Sequence, residues 1–154
     1  MRRFADALYE VVLTLWVGAL WSVGYLVAPI LFSTLSADRQ LAGLIAGRLF
    51  AAIGWLGLVC AAYLLLFMLV RHGAAALRRG LFWLVVLMLV LDALGLFGVQ
   101  PLLAQLKADA LPREVMESVL RNRFATWHGV SSILYLLQSL LGLWLLIASR
   151  RATR

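Results

Sequence analysis

Residues 126–147, TWHGVSSILYLLQSLLGLWLLI, constrain the fold of this chain more than any other stretch. Crossing about 30 Å of hydrocarbon takes about 20 helical residues, and this run is long and apolar enough to do so. It is not uniformly greasy. His128, Ser131, Ser132, Tyr135, Gln138, Ser139 and Gly142 recur at three- and four-residue steps, so they share one helix face. Ile133, Leu137, Leu140 and Trp144 occupy the opposite face. An unpaired polar group costs several kcal/mol in lipid, so the polar stripe must meet other helices or water. The rest of the chain has to supply those helices.

Composition agrees. Of 154 residues, 64% are hydrophobic and only 14% charged, with a mean hydropathy of +0.97. The apolar residues come in runs, not in the amphipathic stripes of a soluble domain. The length fits one membrane domain, residues 1–154. A net charge of +7 would point to nucleic acid in a soluble protein. Here the arginines flank apolar spans, so they read as topology signals and contacts to lipid headgroups, with no nucleic-acid partner. Cys60 is the only cysteine, which excludes a disulfide framework within one chain. Arg2 and Arg3 resemble the start of a signal peptide, but the apolar segment is too long, so the N-terminus is expected to be retained.

Four spans follow, at about residues 8–32, 46–70, 81–99 and 126–147. Along the first, Glu10, Thr14, Gly18, Trp21, Tyr25 and Pro29 trace a weaker polar or small face. Pro29 is expected to kink or end that helix, and Ser36 to cap the next. Gly43 and Gly47, four residues apart, permit close helix approach and are interface candidates. RHGAAALRRG is a short basic connection. Asp92 lies near the centre of the third span, which Gln100-Pro101 is expected to close. An amphipathic helix is expected from about Pro112 directly into the fourth span, completing a protruding helical hairpin. The fold class is therefore an all-α, integral-membrane, up-down-up-down four-helix bundle.

Arginine counts orient it. Arg2, Arg3, Arg71, Arg78, Arg79, Arg150, Arg151 and Arg154 lie on one side, with Asp6 and the membrane-edge Glu10 as the nearby acids. On the other side Asp38, Asp109, Glu114 and Glu117 dilute Arg39, Arg48, Lys107, Arg113, Arg121 and Arg123. The positive-inside rule makes both termini cytoplasmic.

This topology brings Ser22, Asp92 and Gln138 to a common depth, facing the interior. A carboxyl at the bilayer centre costs about 2.5–3.5 kcal/mol on insertion scales, so Asp92 needs a partner; in its protonated form it can donate a hydrogen bond. Two roles are open to it: an interhelical clamp of about 1 kcal/mol, or a proton or cation site. His128 lies one turn inside the far boundary, close to Trp127 and Arg123. It is a candidate metal ligand or pH-responsive group, but His72, the only other histidine, falls on the opposite side, so a lone histidine hydrogen-bonded to a serine or a backbone carbonyl is expected. The six tryptophans, Trp16 among them, read as packing and interface anchors. Ser131 and Ser132 near His128 lack an orienting acid for nucleophilic catalysis, and neither a phosphate loop nor an HExxH pattern occurs.

The order of LWVGALWSVGYLVAPILF, AGRLFAAIGWLGL, FGVQP and FATWHGVSSILYLLQSLLGL resembles the domain of unknown function 4149 family over nearly the whole chain. The best points are the Pro29 region, Gly47-Arg48-Leu49-Phe50, Gln100-Pro101 and His128-Gly129 followed by Ser131. The resemblance implies a four-helix protein of a bacterial inner membrane without an established enzymatic activity. Its relation to eukaryotic transmembrane protein 205, linked to platinum-drug resistance, implies metal or small-solute handling. A looser likeness to the copper-resistance D membrane proteins stops short of a copper pattern, because Cys60, Met68 and Met88 are scattered. Four-helix protoporphyrinogen oxidases are similar in size, but this first span has no histidine.

Two functions are expected from these readings. The first is a non-enzymatic accessory or scaffold protein, without cofactor, that contacts membrane lipids and packs against itself or a larger membrane complex. The alternative is a solute, proton or metal-ion transport or resistance protein. Its polar path would run from His128 past Ser131, Ser132 and Tyr135 to Gln138 and Asp92, with Ser22 alongside.

Overall fold

A computed structural model describes residues 2–109 and 117–152. Among them there is no strand, and four helical stretches are long and apolar enough to cross a membrane: Arg3–Thr34, Arg39–Arg78, Gly80–Leu106 and Asn122–Arg151. The chain is an all-α, multi-pass membrane protein.

The first span is α1 (Arg2–Ser22), a π-helical turn (Val23–Val27) and α2 (Ala28–Thr34). Pro29 neither ends it nor stops the chain's helical path. A proline lacks an N–H and its ring crowds the carbonyl four residues back. The helix widens just before it instead, and the Ala28 N–H bonds the Val23 carbonyl five residues back. The Asp38 side chain, not Ser36, caps the next helix: its Oδ1 accepts from the Leu41 N–H at 2.9 Å.

Helix α3 (Arg39–His72) begins seven residues before the apolar run and has 34 residues, or about 50 Å at 1.5 Å per residue. It therefore overshoots the hydrocarbon. It stops at Gly73, whose φ of 56° favours glycine, and the chain turns through a 3-10 helix, Gly73–Arg78. The fully buried Ala76 of that turn packs with Met68 and Phe82 and seals this end of the bundle.

Third comes α4 (Gly80–Ala93), a second π-helical turn (Leu94–Val99) and α5 (Gln100–Asp109). Gln100-Pro101 was expected to close the span, yet the helix runs on. As before Pro29, the turn widens, the Gln100 N–H bonding Gly95, and the proline is absorbed. Helix α6 (Glu117–Ala152) is one continuous element of 36 residues. The expected start at Pro112, with Val115 and Met116, lies outside the described residues.

Packing closes a ring. Helix α1 packs on α3 and α6, and α4 packs on the same two. Its core is Leu13, Trp16, Val17 and Leu20 from α1, Cys60, Ala61 and Leu64 from α3, Val85 and Met88 from α4, and Leu145 from α6. Gly142 lets α6 approach: a Cβ there would lie 3.3 Å from Val17 Cγ2 and 3.4 Å from Met88 Cε. Outside, Val11, Leu15, Trp55, Val70, Phe97 and Ile133 are among many large apolar side chains left exposed. Lipid, not water, suits that surface.

Candidate functional site

Each helix of the ring contributes one residue to a polar cluster in its centre. Trp16 of α1 is fully buried, and Asp92 of α4 and Gln138 of α6 are 8% and 3% exposed. Gln138 Nε2 donates to the Met88 carbonyl at 3.1 Å, tying α6 to α4, and the same carboxamide also donates to the Asp92 carboxyl. Gly57 of α3 provides the room. A Cβ on Gly57 would overlap Asp92 Oδ2 and come within 2.8 Å of Trp16 Nε1. Both atoms thus press against the same point of the α3 backbone. Trp16 Nε1, Asp92 Oδ2 and Gln138 Oε1 are all buried without a hydrogen-bond partner.

A second polar contact joins α6 to the widened turn of the first span. The Tyr135 hydroxyl donates to the Leu20 carbonyl at 2.6 Å and accepts from the Gly24 N–H. Those two backbone groups would pair directly in an uninterrupted α-helix. The hydroxyl is inserted between them, and the lack of a side chain on Gly24 clears space for the ring. Phe50 packs edge-on against the same ring, with centroids 5.1 Å apart. Nearby, Trp21 Nε1 donates to the Ser139 carbonyl at 3.2 Å.

Other expected residues stand apart. Ser22 is exposed on the outer side of α1 and does not join Asp92 and Gln138; Trp16 takes that place. His128 and Ser132 are exposed as well, with Ser131 half-buried. His128 stacks on Phe124 with rings 5.8 Å apart, and Ser132 Oγ donates to the His128 carbonyl at 2.9 Å. The seven-residue polar stripe is therefore split. Tyr135, Gln138, Ser139 and Gly142 turn inward, while its far end faces outward. The polar face of the first span is turned out too: Glu10, Thr14, Gly18, Trp21, Tyr25 and Pro29 are exposed. In lipid, apolarity does not select the inward face, because acyl chains are as apolar as leucine; shape does. Leu13, Trp16, Val17 and Leu20 fill the ring where small side chains would leave it empty.

Among the described residues no group of three or more His, Cys, Asp or Glu side chains is placed to hold a metal ion. Gly43 and Gly47 are half-buried on α3, beside the buried Ala42 and Ala46.

Residues 11–111 match the model of DUF4149, a domain of unknown function. The chain belongs to this family. No curated protein and no solved structure matches it. Three members of the central cluster, Trp16, Gly57 and Asp92, lie inside the DUF4149 match, whereas Gln138 and Tyr135 lie beyond it.

Two of the central residues were not legible beforehand. Trp16 looks like the other tryptophans, and Gly57 is one of 12 glycines. The available hint was pairing: a buried acid demands donors, and an indole N–H on the apolar face of a neighbouring span is one.

Proposed function

We propose that this DUF4149 protein is a non-enzymatic accessory or scaffold protein of a bacterial inner membrane, associating with itself or with a larger membrane complex. One observation carries the reading. Thr14, Gly18 and Ser22, four residues apart, lie exposed along one ridge of a membrane span. Nothing comes within 4 Å of the point where a Gly18 Cβ would stand. Small residues at this spacing let a second helix approach closely, and hydroxyls on the lipid side gain from a protein partner. Against a chemical role, Ser132 gives its hydroxyl proton to a carbonyl and not to the His128 ring. His128 also lies apart from the enclosed Asp92, which removes support from a continuous polar path between them.

Gly18→Leu tests the reading, since the new side chain meets open space within the bundle itself. It is expected to keep full helicity while weakening association at least tenfold, about 1.4 kcal/mol. Crosslinking and co-purification after gentle solubilisation supply the measurement. A wild-type chain that is monomeric and brings down no partner sinks the proposal.

The same reading has both termini cytoplasmic, supported by the arginines at 71, 78, 79, 150 and 151. In cells, cysteines introduced at Arg79 and Asp109 are expected to react with impermeant reagents from opposite sides. Labelling of both from one side overturns this topology.

A further inference from the structure

Three buried polar atoms without partners meet in the centre of the ring: two acceptors, Asp92 Oδ2 and Gln138 Oε1, and one donor, Trp16 Nε1. Buried polar atoms in native proteins are almost always paired, more so where lipid surrounds the bundle. With Asp92 as a carboxylate the count does not close, since one indole N–H faces two free acceptors. One added hydrogen on the carboxyl makes two donors for two acceptors.

We propose that the central cluster is a binding site for a single proton, held as an O–H on Asp92 that is donated to the free Oε1 of Gln138, with the Trp16 N–H directed at the other carboxyl oxygen. The inference goes beyond the scaffold role and does not depend on it.

Other occupants fit less well. A hard metal cation wants about six oxygens, as in magnesium and calcium sites. Here only two are free, and an indole N–H points among them. A water molecule needs room of its own, and beside Gly57 there is none, since a single methyl there would already overlap the carboxyl.

Among the described residues no facing group neutralises a carboxylate at this site. On α1 the neighbour is Trp16, which has no titratable proton. On α3 it is the Cys60 thiol, within electrostatic range of Asp92. On α6 there are Gln138 and Tyr135, and the Tyr135 hydroxyl already donates to Leu20. Helix α4 carries no other titratable side chain. Lys, Arg and His are absent from this set.

The full chain is reconstituted in phospholipid vesicles at pH 7 and compared with Asp92→Asn by infrared difference spectroscopy. Asparagine keeps a donor toward Gln138, so the variant is expected to fold. The wild type is expected to contribute the C=O stretch of a protonated carboxyl, shifting in D2O and missing from the variant. Trp16→Phe is expected to retain that band at higher frequency, because the carbonyl loses a hydrogen bond. A second measurement needs no variant. With carbon-13 in the side-chain carboxyls of the four aspartates, one signal is expected at the protonated-acid position at pH 7 and the other three as carboxylates. Four carboxylate signals, or carboxylate bands in the infrared difference, overturn the proposal. So does a carboxylate signal that moves on adding sodium chloride, which makes the occupant a cation. An unshifted band in Trp16→Phe removes the indole from the site as proposed.

Discussion

Gly57→Ala is expected to cost several kcal/mol of bundle stability. Its Cβ would overlap Asp92 Oδ2 and stand 2.8 Å from both Asp92 Cγ and Trp16 Nε1. Overpacking a filled core ordinarily costs about 1–3 kcal/mol through forced rotamers and backbone shifts. Here the displaced groups are a carboxyl and an indole N–H, so the cost of disturbing buried polar groups adds to it. Unfolding of the purified protein by increasing anionic detergent, followed by circular dichroism, measures the loss. The comparison is Gly18→Ala, on the outer face with nothing within 4 Å, which is expected to be neutral or slightly stabilising. Equal behaviour of the two variants would contradict the close approach of α3 to Asp92 and Trp16.

Tyr135→Phe is expected to produce the second large effect, although it removes one oxygen atom. That oxygen satisfies two backbone groups, donating to Leu20 at 2.6 Å and accepting from Gly24. Phenylalanine leaves both unpaired within the membrane span. A buried polar group deprived of its partner costs about 1–3 kcal/mol, so the pair sets an upper range of about 2–6 kcal/mol. The first span has a cheaper response, which is to close its π-helical turn and pair the two groups directly. Hydrogen exchange at the Gly24 amide distinguishes the cases. Fast exchange with lowered stability marks an open turn, and slow exchange with little loss marks a closed one. Unchanged stability together with an unchanged turn would show that the hydroxyl is not needed there.

How legible these features were depends on the interaction behind each. The four spans were legible because crossing lipid demands uninterrupted apolar length, which is a local property. Their ends were not. Residues 39–45 and 100–109 are helical although their hydropathy is mixed, because a helix need not stop where the hydrocarbon does. Proline misled as a helix end at Pro29 and at Pro101 for one reason. Its penalty falls on a single hydrogen bond, and a one-residue widening of the turn absorbs it without ending the helix.

Asp92 and Gln138 were legible as inward residues by cost alone, since a carboxyl and a carboxamide are expensive in lipid. Ser22 and Ser132 were not, because a hydroxyl is a smaller burden on a helix surface and can bond a carbonyl of its own helix, as Ser132 does with His128. The sequence by itself determined a membrane bundle with a polar centre, through apolar run length and the expense of burying charge. Only the tertiary structure decided which neighbours complete that centre. Gly57, the Trp16 N–H, and the Leu20 and Gly24 backbone groups matter through how four helices rotate and approach, and shape complementarity leaves no mark on any one of them in the sequence.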